Sequence, residues 1–207
     1  GLTFIHNLLS ISGAFRVQPF CDGDITAMFN GEIYNYQNFG NFSSDGECLI
    51  PAYKAYGALF PQIMDGEYAI ILADLTHRHV ILSTDLFATK PLHVAIEGEH
   101  FGIASYESAL TAAGFHNPIK LPANAIFRIN LDEPNLEQIG AVYNFSLKQY
   151  RKDFDGWIDA FEYAVKKRTE HCREKIFIGL SSGYDSGAIS CALNKIGVTY
   201  NAYSVVG

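Results

Sequence analysis

The sequence has 207 residues, 48% of them hydrophobic and 18% charged, which at about 100–200 residues per domain is room for one full domain and part of another. A net charge of −7, from 15 Lys+Arg against 22 Asp+Glu, and the lack of any basic cluster argue against a nucleic-acid partner. The longest apolar runs, 68–73 and 123–127, are far too short to span a membrane; with no basic-then-apolar leader, a cytoplasmic protein with no membrane partner is expected.

From Leu2 to about Leu131, short β-rich stretches alternate with Gly, Pro and Asn, and strands are expected over 8–12, 25–29, 67–74, 79–85, 92–96, 101–105 and 126–131. The polar turns at 74–78 and 97–99 suit antiparallel hairpins. A helix over 47–56 places Leu49, Ala52, Tyr53 and Tyr56 on one face behind a capping box at Ser44 and Glu47, with Pro51 tolerated in its first turn. Residues 132–155 are polar and Tyr-rich and read as a linker. Beyond it Trp157, Phe161, Ala164 and Val165 mark an amphipathic helix ending near Cys172. A strand over 175–180, a Ser/Gly loop, a helix over 187–195 and a strand over 199–206 then form the opening βαβ unit of a parallel sheet. Cys21, Cys48, Cys172 and Cys191 are too scattered for a disulfide framework or a zinc site. His77, Arg78 and His79 fall in a predicted turn, where solvation is expected.

Two loops carry chemistry. Leu180-Ser181-Ser182-Gly183-Tyr184-Asp185-Ser186-Gly187 lies where an apolar strand gives way to a helix, a place where backbone N–H groups and a helix N-terminus can face an anion. Ser181, Ser182 and Ser186 add hydroxyls, and Asp185 beside a phosphate implies a divalent cation between them. On spacing alone the loop reads equally as a turn with Asp185 and Ser186 capping a helix. In Phe29-Asn30-Gly31-Glu32-Ile33-Tyr34-Asn35-Tyr36 an apolar strand is expected to end at Asn-Gly. There a side-chain amide and a backbone N–H can address one point, as an oxyanion hole requires, although Asn-Gly is also an ordinary turn signal.

The second string is similar to the Phe-Asn-Gly-Glu-Ile-Tyr-Asn signature of the glutamine-hydrolysing asparagine synthetases. The likeness continues in order through His6 with Leu9-Ser10-Ile11, Gln18-Pro19, Ser44-Asp45 with Glu47, Asp65-Gly66 with Tyr68-Ala69, Asp85 with Lys90-Pro91-Leu92, and Ala104-Ser105. The loop at Ser181 resembles the Ser-Gly-Gly-x-Asp-Ser loop of the ATP pyrophosphatases. The resemblance implies an α+β Ntn-type antiparallel sheet domain (α/β/β/α) over 1–131, a class II glutamine amidotransferase domain, then the linker over 132–155. The start of an α/β parallel-sheet ATP-pyrophosphatase domain would occupy 156–207.

By the same resemblance Asn30 and Gly31 would form the oxyanion hole, and Glu32 and Asp45 would join them in binding glutamine. Leu180, Ser181, Ser182, Gly183, Asp185, Ser186 and Val206 would bind ATP and its pyrophosphate, with Asp185 meeting Mg2+ through that pyrophosphate. The implied reaction takes ammonia from glutamine to an ATP-adenylated aspartate carboxylate, giving asparagine, glutamate, AMP and pyrophosphate; aspartate could be replaced by another carboxylate, and a homodimer is the expected assembly. Some positions depart from the family. Leu8 stands where it has the arginine that clamps the glutamine carboxylate, Tyr106 where it has Glu, and Ser182 where it has Gly. The family's nucleophile is a cysteine at the mature N-terminus, whereas this sequence begins at Gly1 and stops at Gly207, and both ends read as truncated. These departures leave two rivals open. One is an ATP-dependent amide ligase of the β-lactam synthetase or lasso-cyclase type with a degenerate glutaminase domain; the other is a catalytically dead homologue.

Overall fold

The computed structural model describes residues 1–9, 13–172 and 174–205. The chain forms two compact units, one holding Gly1–Leu9 and Ala14–Phe145 and the other the residues from Ser146 onward.

In the first unit the elements run β1 (Phe20–Asp22), β2 (Ile25–Ile33), α1 (Leu49–Tyr56), β3 (Gly66–Asp74), β4 (His79–Thr84), β5 (His93–Glu97), β6 (His100–Ala104), α2 (Glu107–Ala112), β7 (Ile119–Lys120), β8 (Ala125–Asn130) and β9 (Leu136–Gly140). A six-stranded sheet has the order β1-β2-β3-β4-β8-β9 and a three-stranded sheet the order β6-β5-β7; every pairing is antiparallel.

The period-2 alternation of strand side chains distributes the core. Tyr68, Ile70 and Leu72 of β3 join Phe29 and Ile33 of β2 and Leu49, Ala52 and Tyr53 of α1 on one face of the large sheet. Ala69 and Ala73 point the other way, where Val80, Leu82 and Ile129 meet Val94 of the small sheet and its flanking Leu92 and Leu121. Burial on both faces explains why β3 reads as a nearly unbroken apolar run. On the outer side of the small sheet, a Cβ added at Gly102 of β6 would lie 2.5 Å from the Phe115 ring and 2.8 Å from Leu110 of α2, so α2 packs directly on backbone. The layers are therefore α/β/β/α, as the resemblance implies.

The structure corrects three expectations. Leu8 and Leu9 form no strand, and positions 10–12 lie outside the described residues. β2 does not end at Asn30-Gly31 but continues to Ile33, paired with β3 down to Gly66. Part of the expected linker is β9, which pairs with β8, because Ile139 and the buried Val142 complete the α1-side core.

The second unit contains α3 (Asp155–Glu170), β10 (Ile176–Gly179), α4 (Tyr184–Lys195) and β11 (Tyr200–Tyr203). β10 and β11 are parallel, Ile176 opposite Tyr200 and Gly179 opposite Tyr203, as the strand-loop-helix-strand pattern requires. Val165, Ile178, Ala192 and Leu193 form its core, and Lys195 of α4 reaches Glu162 of α3 at 2.6 Å.

Candidate active site

The site in the first unit is built on the edge of β2 that faces away from β3. β1 covers only 25–27 of that edge, and beyond it side chains take the place of a strand. The Phe29 N–H donates to Gln18 Oε1 at 2.8 Å, and the Phe29 C=O accepts from His6 Nε2 at 3.1 Å. Four residues further on, the Ile33 N–H donates to Asp45 Oδ2 at 2.8 Å. Between them lies Gly31. Its partner in register, Tyr68, donates its N–H to Asp85 Oδ2 at 3.0 Å and accepts the Asp85 N–H at 3.0 Å. Gly31 and Tyr68 are thus a non-hydrogen-bonded pair, and the Gly31 N–H points out from the sheet edge in line with those of Phe29 and Ile33.

Only glycine fits there. Its φ is +134°, and an added Cβ would stand 1.8 Å from the Glu67 carbonyl oxygen. Asn30 is opposite Ala69 and shares its face, toward the small sheet; Glu32, two residues on, shares that face as well. Asn30 is exposed, so its side-chain amide is available beside the outward amide of Gly31. The turn after β2 is locked by the remaining motif residues: Asn35 Nδ2 donates to Ile63 O at 2.8 Å, Asn35 Oδ1 accepts from Asp65 N at 2.9 Å, and Tyr34 N donates to Asp65 O at 2.7 Å.

Asp45 follows Ser44, the cap of a short 3-10 turn that leads into α1, and the capping box with Glu47 is present. Glu47 Oε2 accepts the Ser43 and Ser44 amides at 2.8 and 3.0 Å, and Arg16 pairs with Oε1 at 3.1 Å. Asp45 itself is buried, and burial, helped by the nearby negative charge of Glu32, lifts its carboxyl to about 6 against the N–H donors of Ile33 and Gly46. Glu32 thus lies near enough for its charge to act on the Asp45 carboxyl.

In the second unit the loop between β10 and α4 is held closed on itself. Ser186 Oγ lies 3.1 Å from the Ser181 N–H and 3.0 Å from Ser181 Oγ, and the Gly183 N–H donates to Ser181 Oγ at 3.1 Å. The Leu180 N–H donates to Tyr203 O at 2.8 Å and its C=O accepts from Ser204 Oγ at 2.6 Å, so both of its backbone groups tie β10 to β11. Asp185 lies in the first turn of α4. Ser182 has no positive φ, and its side chain is accommodated without backbone strain. Val206 lies outside the described residues. Among the described residues no group of three metal-ligating side chains occurs, and no helix is long and apolar enough to cross a membrane.

A family model described as a glutamine amidotransferase domain matches residues 1–146. The chain belongs to the glutamine amidotransferase domain family. Within this amidotransferase domain lie all the β2-edge residues described above. The chain is 33% identical over 120 residues to the putative asparagine synthetase [glutamine-hydrolyzing] 1 of Methanocaldococcus jannaschii, covering 53% of this chain and 22% of that protein. It is 25% identical over 230 residues to the asparagine synthetase [glutamine-hydrolyzing] of Gallus gallus, covering 92% and 40% respectively. It is also 32% identical over 110 residues to amidase chry2 of Gibberella zeae, covering 47% and 16%. The chain thus spans less than half the length of these relatives. A solved structure titled as the allosteric regulatory enzyme of purine biosynthesis matches with a TM-score of 0.50 at 17% identity, covering 90% of this chain and 47% of that one, a likeness of fold.

The structure brings together Asn30, Gly31, Glu32 and Asp45 on the β2 edge of the amidotransferase domain, and Ser181, Gly183, Asp185 and Ser186 in the separate loop of the second unit. The sequence alone assigns the side chains of His6 and Gln18 no role beyond their place in motifs. The signal for them is spatial: each supplies one partner to the same residue, Phe29.

Proposed function

We propose that the chain is the glutamine-hydrolysing part, and the beginning of the ATP-using part, of an asparagine-synthetase-like amidotransferase. The observation that carries this reading is the outward Gly31 amide beside Asn30, flanked by the Glu32 and Asp45 carboxylates. The ammonium of an amino-acid substrate would pair with the carboxylates. Its side-chain carboxamide oxygen would then lie toward Gly31 N–H and Asn30 Nδ2, donors aimed at the charge that develops as a nucleophile adds to the carbonyl carbon. The N-terminal cysteine that the resemblance assigns as nucleophile would form the acyl intermediate, ammonia would leave with a proton, and water would release glutamate.

The second unit is read as the site that adenylates a carboxylate, aspartate in the first instance. The free N–H groups of the first turn of α4 and the hydroxyls of Ser181, Ser182 and Ser186 suit the oxygens of pyrophosphate. Asp185 in that turn suits a Mg2+ ion that shares those oxygens, and magnesium when bound would neutralise charge on the leaving pyrophosphate. Gly183 leaves the cradle open, since an added Cβ would meet only Ser181 Oγ, at 3.2 Å.

Leu8, in the place of the family's arginine, favours a second reading, an ATP-dependent amide ligase with a degenerate glutaminase domain. Two assays on the protein expressed from its full open reading frame decide. Glutamate release from glutamine supports the first reading, and its absence alongside carboxylate-dependent pyrophosphate release supports the second. Pyrophosphate release unchanged in Asp185→Ala would remove the ATP role from the loop in both.

A further inference from the structure

The edge of β2 presents three outward-facing residues in alternation, Phe29, Gly31 and Ile33, where a sheet would ordinarily add another strand. Both backbone groups of Phe29 are taken by side chains from outside the sheet, Gln18 Oε1 on the N–H at 2.8 Å and His6 Nε2 on the C=O at 3.1 Å. The Phe29 carbonyl belongs to the peptide that ends in the Asn30 nitrogen. A grip on that carbonyl therefore fixes the plane from which the Asn30 side chain and, one peptide later, the Gly31 N–H project. Gln18 is buried, so its amide is a fixed support. The carbonyl can only accept, so His6 donates through Nε2, and its Nδ1 is buried with no hydrogen-bond partner among the described residues. The ring is thereby held in one orientation.

We propose that His6 and Gln18 are positioning residues of the amidotransferase centre: together they stand in for a missing strand and hold the Phe29–Asn30 peptide so that the Asn30 amide and the Gly31 N–H converge on the oxyanion. The inference rests on the glutamine-hydrolysing reading of the site. The hydrogen bonds of both side chains go to the Phe29 backbone. Their contribution is to the placement of donors that matter most when charge develops, so it appears in kcat and not in KM.

The test pairs disruptive with conservative variants. His6→Leu removes the donor and Gln18→Leu removes the acceptor, whereas His6→Gln and Gln18→Glu retain them. In the protein expressed from its full open reading frame, each Leu variant should lower kcat for glutamine hydrolysis roughly ten- to hundredfold, as expected for donors displaced by a fraction of an ångström to an ångström. KM should stay within about twofold and the conservative variants should recover most of the loss. A loss carried by KM, or one that the conservative variants fail to recover, overturns the proposal. A second readout does not depend on activity. In the 207-residue chain the amide resonances of Asn30 and Gly31 and their hydrogen-exchange rates should change in His6→Leu and revert in His6→Gln; unchanged Gly31 and Asn30 signals overturn the positioning role. A parent protein that hydrolyses no glutamine would remove the amidotransferase reading, and the amide signals would then judge the peptide clamp by itself.

Discussion

Ile33 donates its backbone N–H to Asp45 Oδ2 at 2.8 Å, so the carboxylate proposed to meet the substrate's ammonium also closes the end of the strand that carries Asn30 and Gly31. The proposed recognition role and a scaffold contact thus share one side chain, whose ionisation has a measurable consequence.

Asp45 keeps its proton in the folded protein up to about pH 6, against an ordinary 3.8. Between these values the folded state binds more protons than the unfolded chain, so stability falls as pH rises through that window, by about 3 kcal/mol in total. Urea midpoints of the parent should decline from pH 4 to pH 6.5, and Asp45→Asn should abolish most of that slope. Identical slopes in the two proteins would remove Asp45 as its origin.

Gly31→Ala places a methyl group 1.8 Å from the Glu67 carbonyl oxygen. β2 and β3 must separate locally to admit it, at a cost of roughly 2–4 kcal/mol. Thermal unfolding should show a drop of several degrees and glutamine hydrolysis should vanish. A variant with parental stability would mean that the β2–β3 pairing has slack at this point.

Asp74 is buried where the β3–β4 hairpin meets α1. It accepts Tyr53 Oη at 2.8 Å, His77 Nδ1 at 2.8 Å and the His77 N–H at 2.9 Å. Burial alone would raise its carboxyl, but the His77 and Tyr53 donors outweigh this and hold it at about 2. The unfolded chain takes up this proton first, so about 2 kcal/mol of stability is present above pH 4 and lost as pH falls through 2. Asp74→Asn should remove the steepest part of acid unfolding. His77 and His79, read from sequence as a solvated turn, therefore belong to a hydrogen-bonded network, since Tyr53 also lies 2.9 Å from His79 Nε2.

Cys48 is buried against Asp45, and burial first, then the Asp45 charge, pushes its thiol up to about 12. Cys21 and Cys191 are exposed. Iodoacetamide at pH 8 should label Cys21 and Cys191 within minutes and Cys48 only after unfolding; rapid labelling of Cys48 in the folded chain would contradict its buried position.

Much of this was legible in the residues. Strands β3, β4, β5, β6 and β8 are marked by short β-rich apolar stretches between polar turns, and Ser44 with Glu47 announces the entry to α1. Asn30-Gly31 stands out chemically, yet its local signal points to a turn. The reason the strand runs through it lies in β3, where the Glu67 carbonyl and Tyr68 Cα come close enough to accept only glycine at position 31. β9 was hidden because Leu136 and Ile139 are sparse apolar positions in a polar stretch, and the strand itself pairs only with β8. The contacts of Gln18 and His6 with Phe29 span 11 and 23 residues, a separation at which periodicity carries no information.

The occupied edge of β2 also bears on how the domain behaves in a crowded solution. An exposed strand edge normally invites another chain to add itself as a neighbour. With the ladder groups of Phe29 and the amide of Ile33 already engaged by side chains, the stretch left open at Gly31 is, among the described residues, a single residue long. An opening of one residue is too short to template a foreign strand, so the edge offers a single amide without becoming a seed for aggregation.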